Sequence, residues 1–214
     1  MELREISAAV FDLDGTVLDS SRIWDGLGER YLRSRGIVPA PGLTETLRVM
    51  SVERGCEFLR DSYPLGLACD EIQQGILGMI SGFYRRECLL KPGAAELLEL
   101  LTQRGIGISA ATAGEGELAL AALERLGVLR YFSGVFTCAE YGGKEKPDIY
   151  LAASSAPAER TAVFEDSLHA VITAKRAGFV TAAVCDSSEP EQALLRETAA
   201  YYRPDLSGYI GDFR

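Results

Sequence analysis

Apolar residues follow two rhythms along this chain. Short, mainly apolar runs at Ile6–Phe11, Ile106–Ala111, Gly134–Thr137, Ala162–Phe164 and Val180–Val184 each end near a polar or glycine residue. Runs of that length without polar alternation predict strands buried on both faces, as in a parallel sheet covered by helices. Between them, apolar residues recur at helical spacing and predict helices over Ala94–Gln103, Glu115–Leu126, Asp148–Ser155 and Ser167–Ala177. Pro92-Gly93 precedes the first of these, and Gly105, Gly127 and Gly178 sit where three of them should stop. Proline near a helix start and glycine just past its end is the asymmetry expected of helix termini. The alternation of strand and helix predicts an α/β fold built on a doubly wound parallel sheet.

The stretch from Ser20 to Cys88 has a different character. Trp24, Leu27, Tyr31 and Leu32, and later Ile72, Ile76, Met79, Ile80 and Phe83, keep helical spacing, with turn signals at Gly36, Pro39 to Gly42 and Pro64 to Gly66. No strand is expected there. The reading is a small all-helical domain of three to five helices, residues 18–88, inserted after the first strand of an α/β core made of 1–17 and 89–214. The tail from Thr198 is tyrosine-rich, and Tyr209-Ile210 is read as a last edge strand.

Composition narrows the functional classes. A net charge of −9 with scattered arginines argues against the basic face that dominates nucleic-acid affinity, so no nucleic-acid partner is expected. It also means that any phosphate site must be positive locally. Five cysteines, an odd number with no CxxC pair, argue against a disulfide framework or zinc site and for a reducing, cytoplasmic setting. No apolar stretch approaches the roughly 20 residues needed to span a bilayer, and no signal peptide is read at Met1–Ala9.

In doubly wound sheets ligands bind beyond the carboxyl ends of the strands. The residues placed there are Asp12 and Asp14, Thr112, the loop Gly142–Pro147, and Glu165 with Asp166. Two carboxylates two residues apart, joined by a third acid, form a site for a hard cation such as Mg²⁺, which prefers oxygen ligands. A carboxylate is also able to attack phosphorus and form an aspartyl-phosphate. Asp12 is the deeper of the pair and the better nucleophile, which leaves Asp14 to protonate the leaving oxygen and later activate water. Gly15 supplies the turn, and Thr16 is placed to orient a neighbour. The Thr112 hydroxyl and the backbone N–H of Ala113 are placed to grip a phosphoryl oxygen, and a lysine of the 142–147 loop to stabilise transferred charge. Each feature alone is commonly a turn, a cap or a solvated loop. Their combination on one sheet edge carries the reading.

The same residues resemble a known family. Phe11-Asp-Leu-Asp-Gly-Thr-Val-Leu-Asp-Ser20 resembles the first motif of the haloacid dehalogenase superfamily. Thr112 matches the second, Gly143-Lys144-Glu-Lys-Pro147-Asp-Ile-Tyr150 the third, and Val163-Phe-Glu165-Asp166-Ser167-Leu168 with Ala174–Gly178 the fourth. The resemblance covers nearly the whole chain and is similar to the branch of phosphoglycolate phosphatases and β-phosphoglucomutase-like phosphatases, with the insert as a helical cap of the first type. It implies Asp12 as nucleophile and Asp14 as acid/base. It also implies Mg²⁺ held by Asp12, the backbone carbonyl of Asp14 and Asp166 with help from Glu165, and phosphate held by Thr112 and a lysine. The motif spacing favours Lys144 for that lysine over Lys146. Alanine stands at position 170, where many relatives have glycine. His169, the single histidine, reads as a surface or capping residue.

The expected activity is therefore Mg²⁺-dependent hydrolysis of a small phosphorylated metabolite by a monomer or homodimer. The absence of lysine from Gly15 to Leu90 disfavours Schiff-base phosphonate chemistry. A sugar-phosphate mutase is the nearest alternative, disfavoured because the stretch just after the first motif, Ser20 to Gly26, holds no histidine. A catalytically inactive binding or regulatory protein is the alternative of another class, and the intact acid set argues against it. Arg22, Trp24, Arg48 and Arg54 are the candidates for substrate specificity, through pairing with a second anionic group or stacking on a sugar.

Overall fold

The computed structural model describes residues 2–48 and 50–214, with the side chain of Arg48 outside that description. It divides into two units, Met1–Ser21 with Cys88–Arg214, and Arg22–Glu87. The first strand, β1 (Ala8–Phe11), leads out of the larger unit toward five helices: α1 (Ser21–Trp24), α2 (Leu27–Ser34), α3 (Leu43–Arg48), α4 (Val52–Ser62) and α5 (Cys69–Arg86). The chain then returns through α6 (Ala94–Gln103), β2 (Gly107–Thr112), α7 (Gly116–Arg125), β3 (Val135–Thr137), α8 (Cys138–Tyr141) and α9 (Asp148–Ala153). It closes with β4 (Thr161–Glu165), α10 (Leu168–Arg176), β5 (Val180–Val184), α11 (Gln192–Thr198), β6 (Tyr201–Arg203) and a 3₁₀ helix at Leu206–Phe213.

The six strands form one sheet in the order β3-β2-β1-β4-β5-β6, all pairs parallel. Every residue of β1 and of β4 is buried, as the uninterrupted apolar runs require. Phe11 pairs with Phe164 across these strands and stacks on it, ring centroids 4.3 Å apart and planes 5° from parallel. Each such ring taken out of water stabilises the fold by about 1.5–3 kcal/mol, which fixes the register of the two central strands. That register sets Asp12, one residue past Phe11, beside Glu165, one past Phe164.

The helices cover the sheet for the reasons their patterns give. Leu97, Leu98 and Leu101 of α6 are fully buried. The helix stops where Gly105 turns with φ +71°, and the N–H groups of Gly105 and Ile106 donate to the carbonyls of Thr102 and Leu101 at 2.9 and 3.0 Å. These bonds satisfy carbonyls that a helix end leaves open. In the helical unit α2 packs on α5 so closely that a Cβ at Gly75 would meet the Tyr31 ring. No described helix is long and apolar enough to cross a membrane.

One expected strand is displaced. Tyr209-Ile210 lies in the 3₁₀ helix, and the edge strand is Tyr201–Arg203. Gly208 and Gly211 deprive the 206–213 stretch of strand-forming side chains. The Tyr209 hydroxyl instead bonds the carbonyls of Ala183 and Tyr201 at 2.7 and 3.2 Å, and its ring packs edge-on against Phe164. Helices α8 and α11, which have weak apolar periodicity, were not expected from the sequence.

Candidate active site

The sheet order reverses between β1 and β4, which run outward to opposite sides from the middle of the sheet. The crevice beyond the carboxyl ends of such a pair is where doubly wound sheets bind ligands. Asp12 leaves β1 there and enters a tight turn, in which the N–H groups of Val17 and Leu18 donate to the Leu13 carbonyl at 3.0 and 2.7 Å. Gly15 is required in that turn twice over. Its φ is +87°, and a Cβ on it would overlap the Asp166 carboxylate. The two crossover segments between the units run side by side, with Leu18 bridged to Leu90 and Asp19 N–H donating to Leu89 at 2.9 Å.

Four of the expected residues meet at this edge. Carboxylate oxygens of Asp12, Glu165 and Asp166, all buried, lie within 4.8 Å of one another. Lys144 arrives from the loop between α8 and α9, pairs with Asp12 Oδ1, and donates to Glu165 Oε1 at 2.6 Å. Tyr150 of α9 donates its hydroxyl to the same Glu165 Oε1 at 2.9 Å, and Glu165 Oε2 accepts the backbone N–H groups of Asp166 and Ser167 at 3.2 and 3.3 Å. Thr16 Oγ1 donates to Asp166 Oδ1 at 3.4 Å. Beside this cluster, Thr112 Oγ1 donates to Asp14 Oδ2 at 3.4 Å and accepts the Gly114 N–H at 3.0 Å.

Asp12 Oδ2 is buried and has no hydrogen-bond partner among the described residues. A bare buried carboxylate oxygen is costly, and the ordinary explanations are a water, an ion or a reacting group at that point. The acids respond electrostatically. Burial, with the neighbouring charges of Glu165, Asp166 and Asp14, pushes Asp12 well above the usual carboxylate range against the opposing pull of Lys144. Burial, followed by the charges of Glu165 and Asp186, pushes Asp166 up to about 8. For Lys144, burial alone would lower the value, but Asp12 and Glu165 outweigh it and hold the ammonium charged. Acids crowded into a buried site, each raising the others' proton affinity, suit a divalent cation with oxygen ligands. Asp12, Asp166 and Glu165 fit Mg²⁺ on these grounds.

The remaining expected residues are placed as follows. Lys146 is exposed, two residues beyond the buried Lys144. Ala113 follows Thr112 at the end of β2 and is exposed. His169 is exposed, and its Nδ1 shares a hydrogen bond of 2.6 Å with the Ser167 hydroxyl. Ala170 is fully buried in the apolar cluster under β1 and β4. In the helical unit, Arg22 and Arg54 are exposed, and Trp24 is 53% exposed and so not part of that unit's core. The side chain of Arg48 lies outside the described residues.

Two functional-looking groups were missed by sequence reasoning. Tyr150 stands in the Lys-Pro-Asp-Ile-Tyr run but its hydroxyl gave no local signal. Asp186, two residues past β5, is 2% exposed and accepts from Lys91 Nζ at 2.5 Å, from Ser21 Oγ at 3.1 Å and from Ser188 N–H at 2.9 Å. Its place just beyond a strand end was the signal that would have found it.

Residues 6–178 match the model of a family of hydrolases described as haloacid dehalogenase-like hydrolase. The chain belongs to the haloacid dehalogenase-like hydrolases. Among similar proteins, a phosphorylated carbohydrates phosphatase from Thermotoga maritima is 30% identical over 81% of this chain and 82% of its own. A validoxylamine A 7'-phosphate phosphatase from Streptomyces hygroscopicus is 28% identical over 86% and 87%. The crystal structure of a putative beta-phosphoglucomutase from Thermotoga maritima superposes with a TM-score of 0.84 at 24% identity, covering 96% of this chain and 97% of that one. That likeness establishes the fold. In this haloacid dehalogenase-like hydrolase every member of the acid and lysine cluster lies inside the family match, whereas Asp186 and β6 lie beyond it.

Proposed function

We propose that this hydrolase is a Mg²⁺-dependent phosphatase of small phosphorylated metabolites, with phosphorylated carbohydrates as the leading class. The observation that carries this reading is the state of Asp12. One oxygen is held by Lys144 and the other is buried without a hydrogen-bond partner among the described residues. One fixed oxygen and one available oxygen suit a carboxylate that acts as a nucleophile. The carbohydrate class comes from the phosphatase relative that is 30% identical.

In the proposed reaction an Asp12 oxygen attacks phosphorus and the ester P–O bond breaks. Asp14 gives its proton to the departing alkoxide, which leaves as an alcohol. Water then attacks the aspartyl-phosphate, Asp14 takes back a proton, and the bond between Asp12 and phosphorus breaks to release inorganic phosphate. The Thr112 hydroxyl bonds Asp14 in the resting chain; with substrate bound it would turn to the phosphoryl oxygens, where the Ala113 N–H and Lys144 are the other proposed donors. Asp12, the Asp14 backbone carbonyl, Asp166 and Glu165 would hold Mg²⁺. When bound, that ion neutralises phosphoryl charge and keeps the group in line for displacement.

The helical unit would serve as a cap that selects the substrate, with Arg22, Trp24, Arg48 and Arg54 as its candidate contacts. All five cysteines are free, in keeping with a cytoplasmic setting. The test is phosphate release from a panel of sugar phosphates, polyol phosphates and phosphoglycolate, with Mg²⁺ and with EDTA. Release that requires Mg²⁺ and favours sugar phosphates supports the proposal. Isomerisation primed by a sugar bisphosphate, without net phosphate release, would establish the mutase alternative instead.

A further inference from the structure

Tyr150 is buried on α9 among Val10, Ala111, Val163, Ala170 and Phe179, all apolar. Its ring meets Phe179 edge-on, centroids 6.2 Å apart. Nothing in that packing calls for a hydroxyl, and phenylalanine would fill the same volume. A buried phenol O–H needs a partner, and among the described residues it has one, Glu165 Oε1 at 2.9 Å. The same oxygen accepts Lys144 Nζ at 2.6 Å. The other oxygen of Glu165 is held by two backbone N–H groups. Both oxygens of Glu165 therefore accept hydrogen bonds from the protein, and the Tyr150 hydroxyl shares with Lys144 the oxygen through which Glu165 is tied to the Asp12 pair.

We propose that Tyr150 is a positioning residue, which fixes Glu165 and through it sets where the Lys144 ammonium stands relative to Asp12. The inference rests on the phosphatase reading for its kinetic consequence, but not for the geometry. Without the hydroxyl, Glu165 Oε1 has capacity to draw Lys144 toward itself and away from Asp12. Partners that orient a functional group indirectly typically alter activity by 10–100-fold when removed.

The test compares Tyr150→Phe, Lys144→Met and the double variant in the full chain, with two readouts. The first is kcat/KM for the best phosphate ester, together with the affinity for inorganic phosphate. Tyr150→Phe should lower kcat/KM by roughly 10-fold in the wild-type background. In the Lys144→Met background it should change the residual phosphate affinity by less than about twofold, because the two act through one path. The second readout is the ¹⁵N resonance of the buried Lys144 ammonium, assigned by its loss in Lys144→Met. It should move in Tyr150→Phe, and in the opposite sense when 3-fluorotyrosine, a stronger donor on the same ring, is installed at position 150. A lowered thermal midpoint with unchanged kcat/KM and an unmoved Lys144 resonance would overturn the inference and leave Tyr150 a packing residue. Should the wild type hydrolyse no ester at all, the phosphatase reading falls, and the ammonium resonance still decides the positioning role.

Discussion

Lys144 pairs with Asp12 across 132 residues of chain, and the ammonium that holds this carboxylate also donates to Glu165 at 2.6 Å. The pair is 6% exposed on both sides. Asp12 arrives at the end of the central strand and Lys144 from a loop behind β3, so the contact exists only when the sheet is assembled. It sets one positive charge among the three buried acids of a protein whose net charge is −9.

That placement separates the two lysines of the loop. Lys144→Met should lower kcat/KM by roughly 10²–10³-fold, the usual cost of removing a preorganised donor to developing charge. Lys146 is exposed, and Lys146→Met should leave kcat/KM within about twofold and stability within about 0.5 kcal/mol. Steady-state kinetics and thermal melts of the two variants check both statements.

The buried acids give the metal-free protein a defined pH response. Asp166 titrates at about 8 in the folded chain against an ordinary 3.8, so the folded state holds its proton more tightly than the unfolded state does. The stability tied to that proton is present in full below about pH 4 and is lost as pH rises toward about 8. Asp12 shifts in the same direction. In EDTA the thermal midpoint should therefore fall between pH 5 and pH 8 through these groups. Under the proposed Mg²⁺ site the ion takes the ionised acids, so added Mg²⁺ should raise the midpoint more at pH 8 than at pH 5. Calorimetric scans at the two pH values, with and without Mg²⁺, make the comparison, and a larger increment at pH 5 would contradict it.

Gly114 leaves room for Asp14, the proposed acid/base. A Cβ there would come within 2.6 Å of Asp14 Oδ2, so Gly114→Ala should push Asp14 off the Thr112 hydroxyl and lower kcat by about 10-fold or more with the fold intact. Gly78 offers the contrast. It is exposed within α5 with nothing near its missing Cβ, and Gly78→Ala should stabilise the protein by about 1 kcal/mol without touching kcat. Circular dichroism melts and kinetics on both variants check this pair.

Much of this architecture was legible because burial imposes a local rhythm. Val180–Val184 and Ala94–Gln103 fall where their apolar patterns place them, and the parallel sheet follows from the alternation. Asp12, Thr112, Glu165 and Asp166 were findable because each stands at or just past a strand end. Lys144 rather than Lys146 required the motif spacing, since both sit in one polar loop. What escaped were partnerships that leave no rhythm. The Tyr150 hydroxyl on Glu165, and Lys91 on Asp186 from 95 residues away, are single polar contacts within elements whose pattern is set by packing. Edge strand β6 escaped for the reverse reason. Its three residues are only half-buried, and Tyr209 mimicked a strand while filling a hole against Phe164.

The central claim is that Asp12 is the nucleophile, and Asp12→Asn tests it most directly. The amide keeps the shape of the side chain and removes the charge that attacks phosphorus. With Mg²⁺ and the best phosphate ester, the variant should retain its thermal midpoint to within a few degrees, and phosphate release should fall by at least about 10³-fold. It should also form no acid-stable phosphoenzyme by intact mass after a rapid acid quench, where the wild type gains one phosphoryl group. Phosphate release by Asp12→Asn at the wild-type rate would contradict the account at its root.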